Sequence, residues 1–160
     1  MKKRVLAMLL TLCMVLWMLP MGVLADDSNV VDSGYCGGDT SMNGRNLTWK
    51  LTSDGTLTIS GLGVMDDYER DGVDGIMPPW WRDDRIQEVK VTEGVKNIGT
   101  CAFYYLRNLT SVTLPSTMTS IGEGAFGWCE NLTEINIPSG VIEIGRWVFE
   151  NTSLSSIKIP

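Results

Sequence analysis

Nineteen carboxylates and no histidine define what this chain could do chemically. Five of the acids, Glu123, Glu130, Glu134, Glu143 and Glu150, crowd its last quarter. Two carboxylates held across a cleft, one of them desolvated, are the machinery of glycoside hydrolysis. Nothing in the spacing pairs any two of these five in one pocket. The missing histidine removes Ser-His-Asp and Cys-His nucleophilic catalysis and every histidine-containing metal motif. The segment DYERDGVDG, Asp67 to Gly75, places Asp67, Glu69, Asp71 and Gly72 where a calcium loop has its first, third, fifth and sixth positions. Its twelfth position is Pro78 rather than a bidentate Glu, and no amphipathic helix flanks it, so it reads as a solvated acidic loop. Neither an enzyme nor a resident metal or cofactor is expected.

Aromatic residues offer a second chemistry. Trp80, Trp81, Trp128 and Trp147, with Tyr104 and Tyr105, could stack against sugar rings; Trp80-Trp81, after two prolines, could instead seal an end of the fold. Cys36, Cys101 and Cys129 follow the leader described below. Three thiols cannot all pair within one chain and are too few for a disulfide scaffold. Cys129 stands where the preceding copy of the repeat has Leu106, a packing position, and a Cys101–Cys129 bridge has no support in the spacing. Asn46, Asn108, Asn131 and Asn151 match the N-glycosylation pattern but also suit turns, where their amides bond to backbone.

These side chains must be positioned by a repeat. Sliding the sequence along itself until Val89 meets Val112 superimposes Val89-Lys90-Val91, Val112-Thr113-Leu114 and Ile135-Asn136-Ile137. The same shift superimposes Ile98-Gly99, Ile121-Gly122 and Ile144-Gly145, and Phe103, Phe126 and Phe149. Val112-Thr113-Leu114 and its counterparts read as short strands with the outer pair turned inward and the middle residue outward, each preceded by a leucine such as Leu109. Pro115 and Pro138 end two of them, and Pro160 stands at the same phase. A lone copy buries too few apolar side chains to offset the ordering of its own backbone, so the copies must stack. The fold class expected is mostly β: a leucine-rich-repeat solenoid over residues 86–160, with an N-terminal β-hairpin cap.

Residues 1–25 read as a secretory signal peptide: Lys2, Lys3 and Arg4, then an apolar run from Val5 to Leu19, then Val23-Leu24-Ala25 before the cut. The run is shorter than the ~20 residues that span a bilayer, and no later segment is apolar enough to do so. Removing those three cations takes the net charge from −6 to −9, which disfavours nucleic acid as a partner. Residues 26–46, rich in Gly, Ser, Asp and Asn, read as a flexible lead-in. Residues 47–85 read as the cap, built on a hairpin turning at Asp54-Gly55, with Leu47, Trp49 and Leu51 facing Leu57 and Ile59.

The phrase LTSVTLPSTMTSIGEGAFGWCENLTEINIPSGVIEIG resembles the BspA-like, Treponema-type leucine-rich repeats of bacterial surface proteins. The upstream LTWKLTSDGTLTISGLGVMDDY and PPWW are similar to the region that precedes such repeats in secreted proteins of gut-dwelling Gram-positive bacteria. The resemblance covers roughly residues 34–160 and implies a secreted or surface-exposed binding scaffold, with adhesion to host matrix or microbial surfaces among its roles. A carbohydrate-binding module and a passive stalk are the other readings. The array stops mid-repeat at Pro160, which implies further repeats beyond it.

The candidate binding face is the outward row Lys90, Thr113, Asn136 and Lys158, with Glu88, Ser111, Glu134 and Ser156 just before it. Four rungs of three residues cover about 200 Å², against ~800 Å² per partner in a standard interface.

Overall fold

The computed structural model describes residues 27–70 and 75–159. The leader over 1–25, Asp71 and Gly72 of the acidic loop, and Pro160 lie outside the described residues. Among the described residues, nine strands form two sheets. One has the order β1 (Val30–Tyr35), β2 (Leu47–Thr52), β3 (Thr56–Gly61), β4 (Glu88–Val91), β6 (Ser111–Thr113), β8 (Glu134–Ile135). The other has the order β5 (Asn97–Ile98), β7 (Ser120–Ile121), β9 (Glu143–Ile144).

The hairpin forms as its sequence requires. Gly55 takes φ +84°, which a side chain would strain, and Asp54 Oδ1 accepts from the Thr56 amide at 3.1 Å. Alternation along β2 and β3 buries Leu47, Trp49, Leu51, Leu57 and Ile59. The Gly55 carbonyl then accepts from Gln87 N at 2.9 Å, which ties the turn to the start of β4.

From β3 onward the pairing is parallel, and between repeats its offset is constant: Val89 opposite Val112, Val112 opposite Ile135, Ile98 opposite Ile121, Ile121 opposite Ile144. Side chains keep the same step, since the hydroxyls of Thr110, Thr119 and Ser153 donate to the carbonyls of Gln87, Lys96 and Glu130 one copy earlier. A third side carries its own ladder. Cys101, Phe103 and Tyr105 donate to the carbonyls of Glu123, Ala125 and Gly127, and Gly124, Phe126 and Trp128 donate to Arg146, Val148 and Glu150. Each copy is therefore hydrogen-bonded to the next along three sides.

Between these sides runs one apolar core, and rings form its axis. Phe103 stacks on Phe126 at 5.3 Å and Phe126 on Phe149 at 6.0 Å. Trp80 extends the column, stacked on Phe103 at 5.7 Å and met edge-on by Trp49 and Tyr68. It stands one repeat length before Phe103, so the repeat phase reaches back into the Pro-Pro-Trp-Trp segment although the letter changes. Its indole nitrogen donates to the Ala102 carbonyl at 2.8 Å.

The corner after β5, β7 and β9 is closed by glycine for a steric reason. A Cβ on Gly122 would lie 2.6 Å from Thr100 N, one on Gly145 2.5 Å from Glu123 N, and one on Gly99 would overlap the Asp66 carbonyl. Neighbouring backbones touch there.

Two expectations need correction. Residues 27–46 are not a flexible lead-in: β1 pairs antiparallel with β2, Tyr35 opposite Thr48 and Ser33 opposite Lys50, and Cys36 is buried. Val30, Val31 and Tyr35 supply a strand's preferences, and an open β2 edge supplies the partner. Nor does a fourth repeat rung form. Residues 156–159 enter neither sheet, and Ser156, Lys158 and Ile159 are exposed, since that copy is one residue shorter and out of phase with β8.

Candidate functional site

The outer face of the larger sheet carries two transverse rows. Pairing aligns Thr56, Glu88, Ser111 and Glu134 in one row, and Thr58, Lys90 and Thr113 in the other, with Asn136 exposed beyond β8. Beneath them the inner residues are uniform: Leu57, Val89, Val112 and Ile135. This is what period-2 alternation on a one-sided sheet produces, a constant buried face below a varied wet one.

Of the eight residues assigned to this face from sequence, six lie together as expected. Glu88, Ser111, Glu134, Thr113 and Asn136 border one shallow depression, and Lys90 stands beside it. Lys158 borders a second depression with Asn136, Ile137 and Ser139, outside the ladder, and Ser156 is in neither row. Lys90 Nζ sits 2.9 Å from Glu88 Oε2, with both side chains partly in water, so the pair adds little stability and stays free to exchange partners.

Sequence reasoning missed part of the face. Tyr35 and Ser33 from β1, Lys50 and Thr48 from β2, and Thr58 from β3 continue it. The strands of the larger sheet, at ~3.3 Å rise and ~4.8 Å spacing, make roughly 430 Å². That is twice the four-rung figure and about half of one side of a standard interface. The Val-Val-x-x-x-Tyr alternation before Cys36 was the available signal.

The aromatic candidates separate by burial. Trp80 and Tyr104 are interior. Tyr105 and Trp128 are half-buried and stack on each other at 5.7 Å, and Trp147 is 53% exposed. Arg70 braces this corner: its Nε donates to the Tyr104 hydroxyl at 2.9 Å and its Nη2 meets Glu150 at 3.0 Å. Both contacts, with the hydroxyl foremost, raise the guanidinium's pKa further.

Cys36, Cys101 and Cys129 are unpaired, buried thiols. Burial pushes Cys129 up to about 12, and burial with the nearby Asp66 carboxylate does the same to Cys36. These are the opposite of activated nucleophiles. Asp67 accepts from the Thr100 amide at 2.7 Å and so caps a turn. Asn46 and Asn108 bond to backbone as turn residues do, Asn46 to the Val64 carbonyl at 2.7 Å and Asn108 to that of Asp84 at 2.8 Å. Among the described residues no group of three or more acids or cysteines could hold a metal ion, and no helix is long and apolar enough to cross a membrane.

Comparison with known proteins agrees with the pattern. The family model described as BspA type leucine rich repeat region (6 copies) matches residues 81–160, half of the chain. A leucine-rich repeat protein from Eubacterium ventriosum ATCC 27560 is 31% identical over 81% of this chain, with a TM-score of 0.56. This chain spans 41% of that protein's length. A leucine-rich repeat protein from Bacteroides capillosus ATCC 29799 is 27% identical over 72% of this chain and 94% of its own, with a TM-score of 0.46. No curated protein matches.

Proposed function

The chain belongs to the BspA-type leucine-rich repeat family, and from that premise we propose that it is a non-enzymatic binding scaffold whose partner is a protein. In this reading the copies wind into a solenoid, and β1, β2 and β3 cap its first coil. The observation that carries the binding role is the contrast across the larger sheet. Equivalent outer positions hold Thr58, Lys90 and Thr113, or Thr56, Glu88, Ser111 and Glu134, above inner positions that stay aliphatic. A fixed frame with interchangeable outward chemistry suits recognition of another surface.

The face is too small to bind tightly alone, so the mode is weak or multivalent contact strengthened by repetition. The leader-like segment 1–25 supports export. Together with the family, it supports a place of action outside the cell and an adhesive contact with host matrix or another microbe as the role.

The test is surface binding of the chain to a panel of host extracellular-matrix proteins. The chain should bind at least one of them, and Lys90→Glu with Thr113→Arg should weaken that binding about tenfold while leaving the unfolding midpoint unchanged. Binding that ignores both substitutions places the contact elsewhere, and no binding across the panel removes the adhesive reading.

A further inference from the structure

A second set of side chains advances by the same repeat length, two positions after the buried rings: Arg82, Tyr105, Trp128 and Asn151. All four have left-handed backbone, with φ of 54°, 69°, 60° and 52°. That conformation is unfavourable for a residue with a side chain, and glycine or asparagine suits it best. Because it recurs in every copy, the corner of the repeat imposes it. Yet three of the four copies place a large polar or aromatic group there, where glycine would cost less.

The first rung of this outer column is unusual. The Arg82 guanidinium lies 4.4 Å from the Trp81 ring centroid and 4.6 Å from that of Tyr105, held between two π faces. Among the described residues it meets no carboxylate. Two neighbouring acids are engaged elsewhere: Asp83 is chelated by Arg85, and Glu130 lies 3.4 Å from Arg107. Arg107 sits 4.5 Å from the same Tyr105 ring and donates to its hydroxyl at 2.6 Å. Below and above, the indole nitrogens of Trp81 and Trp128 are buried with no acceptor among the described residues. Those two N–H groups present no surface to a ligand, so the accessible donor of the corner is the exposed Arg82 guanidinium. The complementary ligand is therefore an anion that only accepts hydrogen bonds.

We propose that the Trp81–Arg82–Tyr105–Trp128 corner binds a carboxylate-bearing sugar, a uronic or sialic acid unit, with the carboxylate on Arg82 and the apolar ring face along the aromatic edges. An acidic sugar fits better than a polyanion. The chain's net charge of −6 repels densely charged ligands, while one charge per ring with C–H faces matches Arg82, the cation here that meets no carboxylate, since Arg107 faces Glu130, beside the aromatic rings. The site is on the strandless side of the repeat, apart from the sheet face, and stands independently of the protein-binding reading.

The test is titration with tri-galacturonate, read by tryptophan fluorescence and calorimetry, beside its methyl ester and a tri-glutamate peptide. The acid should bind, with the ester and the peptide at least about tenfold weaker. Arg82→Asn, which tolerates the same backbone, should also weaken the acid at least about tenfold with an unchanged far-UV spectrum. Arg82→Gly serves if the asparagine variant does not fold. Equal affinity for acid and ester, an Arg82 variant that binds as well as the parent, or preference for tri-glutamate would each overturn the assignment. So would no response at ~5 mM of the acid.

Discussion

Two columns climb this molecule with the same repeat step, and they obey different rules. The inner one, Trp80, Phe103, Phe126 and Phe149, contains only aromatic rings, and its middle members have no exposure to water. The outer one, Arg82, Tyr105, Trp128 and Asn151, mixes a cation, a phenol, an indole and an amide at one backbone conformation. The inner column touches rings above and below in a space that backbone ladders fix on three sides, so volume and shape are prescribed. The outer column shares the ladders but has solvent on one flank, so chemistry can vary there at fixed spacing. Repetition holds the fold at one position and leaves the chemistry open at another two residues away. The sheet repeats the lesson, aliphatic beneath and varied above.

The comparison breaks most severely where copies touch backbone to backbone. Gly122→Val puts a branched side chain against the Thr100 amide, which no rotamer avoids. It should cost more than about 4 kcal/mol and abolish cooperative unfolding by urea. A variant that keeps the parental midpoint would mean the copies are not in contact at that corner.

A second break comes from alkali acting on the interior. Cys36 and Cys129 are pushed up to about 12 in the folded chain, from a starting value of 9.0. Between those values the unfolded chain releases protons that the folded chain keeps, so stability present below pH 9 is lost as pH rises. Two thiols at about 1.4 kcal/mol per pH unit each give a loss of about 2–3 kcal/mol per unit above pH 9. Denaturant midpoints measured at steps from pH 8 to 10.5 follow this. The double variant Cys36→Ala, Cys129→Ala should have a flatter profile, and an equally steep one would show that other groups cause the loss. Tyr68, raised first by burial, then by Cys36, Asp66 and Asp67, adds to the slope at the highest pH.

The smallest expected change lies outside the core. Trp147 has φ 55°, is 53% exposed, and shares its repeat position with Gly124. Trp147→Gly relieves the backbone while losing a long contact from Arg70 at 6.0 Å. Stability should stay within about 1 kcal/mol of the parent, on the stabilising side if backbone strain dominates. A thermal melt separates this from a loss above about 2 kcal/mol, which would make Trp147 a structural contact of the corner that Arg70 braces.

Much of this was legible in the sequence because identical letters recur. The strand triplets, the hairpin at Asp54-Gly55 and the Phe103, Phe126, Phe149 series follow from spacing and alternation alone. Trp80 is harder to read because the inner column demands a large flat ring rather than phenylalanine itself, so the letter changes where the phase does not. Strand β1 was hidden by Gly34, Ser33 and Asp32, whose composition suggests a linker; the open edge of β2 outweighed it. The rung at Ser156 and Lys158 failed for the opposite reason. Its letters fit, but a deletion of one residue shifts the chain out of phase with β8. Left-handed backbone at Arg82, Tyr105 and Trp128 leaves no trace in residue type, so the outer column was visible only in three dimensions.

The most direct test sets the two columns side by side in one copy. Urea unfolding of Phe126→Ala and of Trp128→Asn should give an inner loss of about 3–5 kcal/mol and an outer loss below about 1.5 kcal/mol, chiefly the stacking on Tyr105. Equal losses, or a larger loss from Trp128, would contradict the division of the repeat into a column that holds the fold and a column left free to bind.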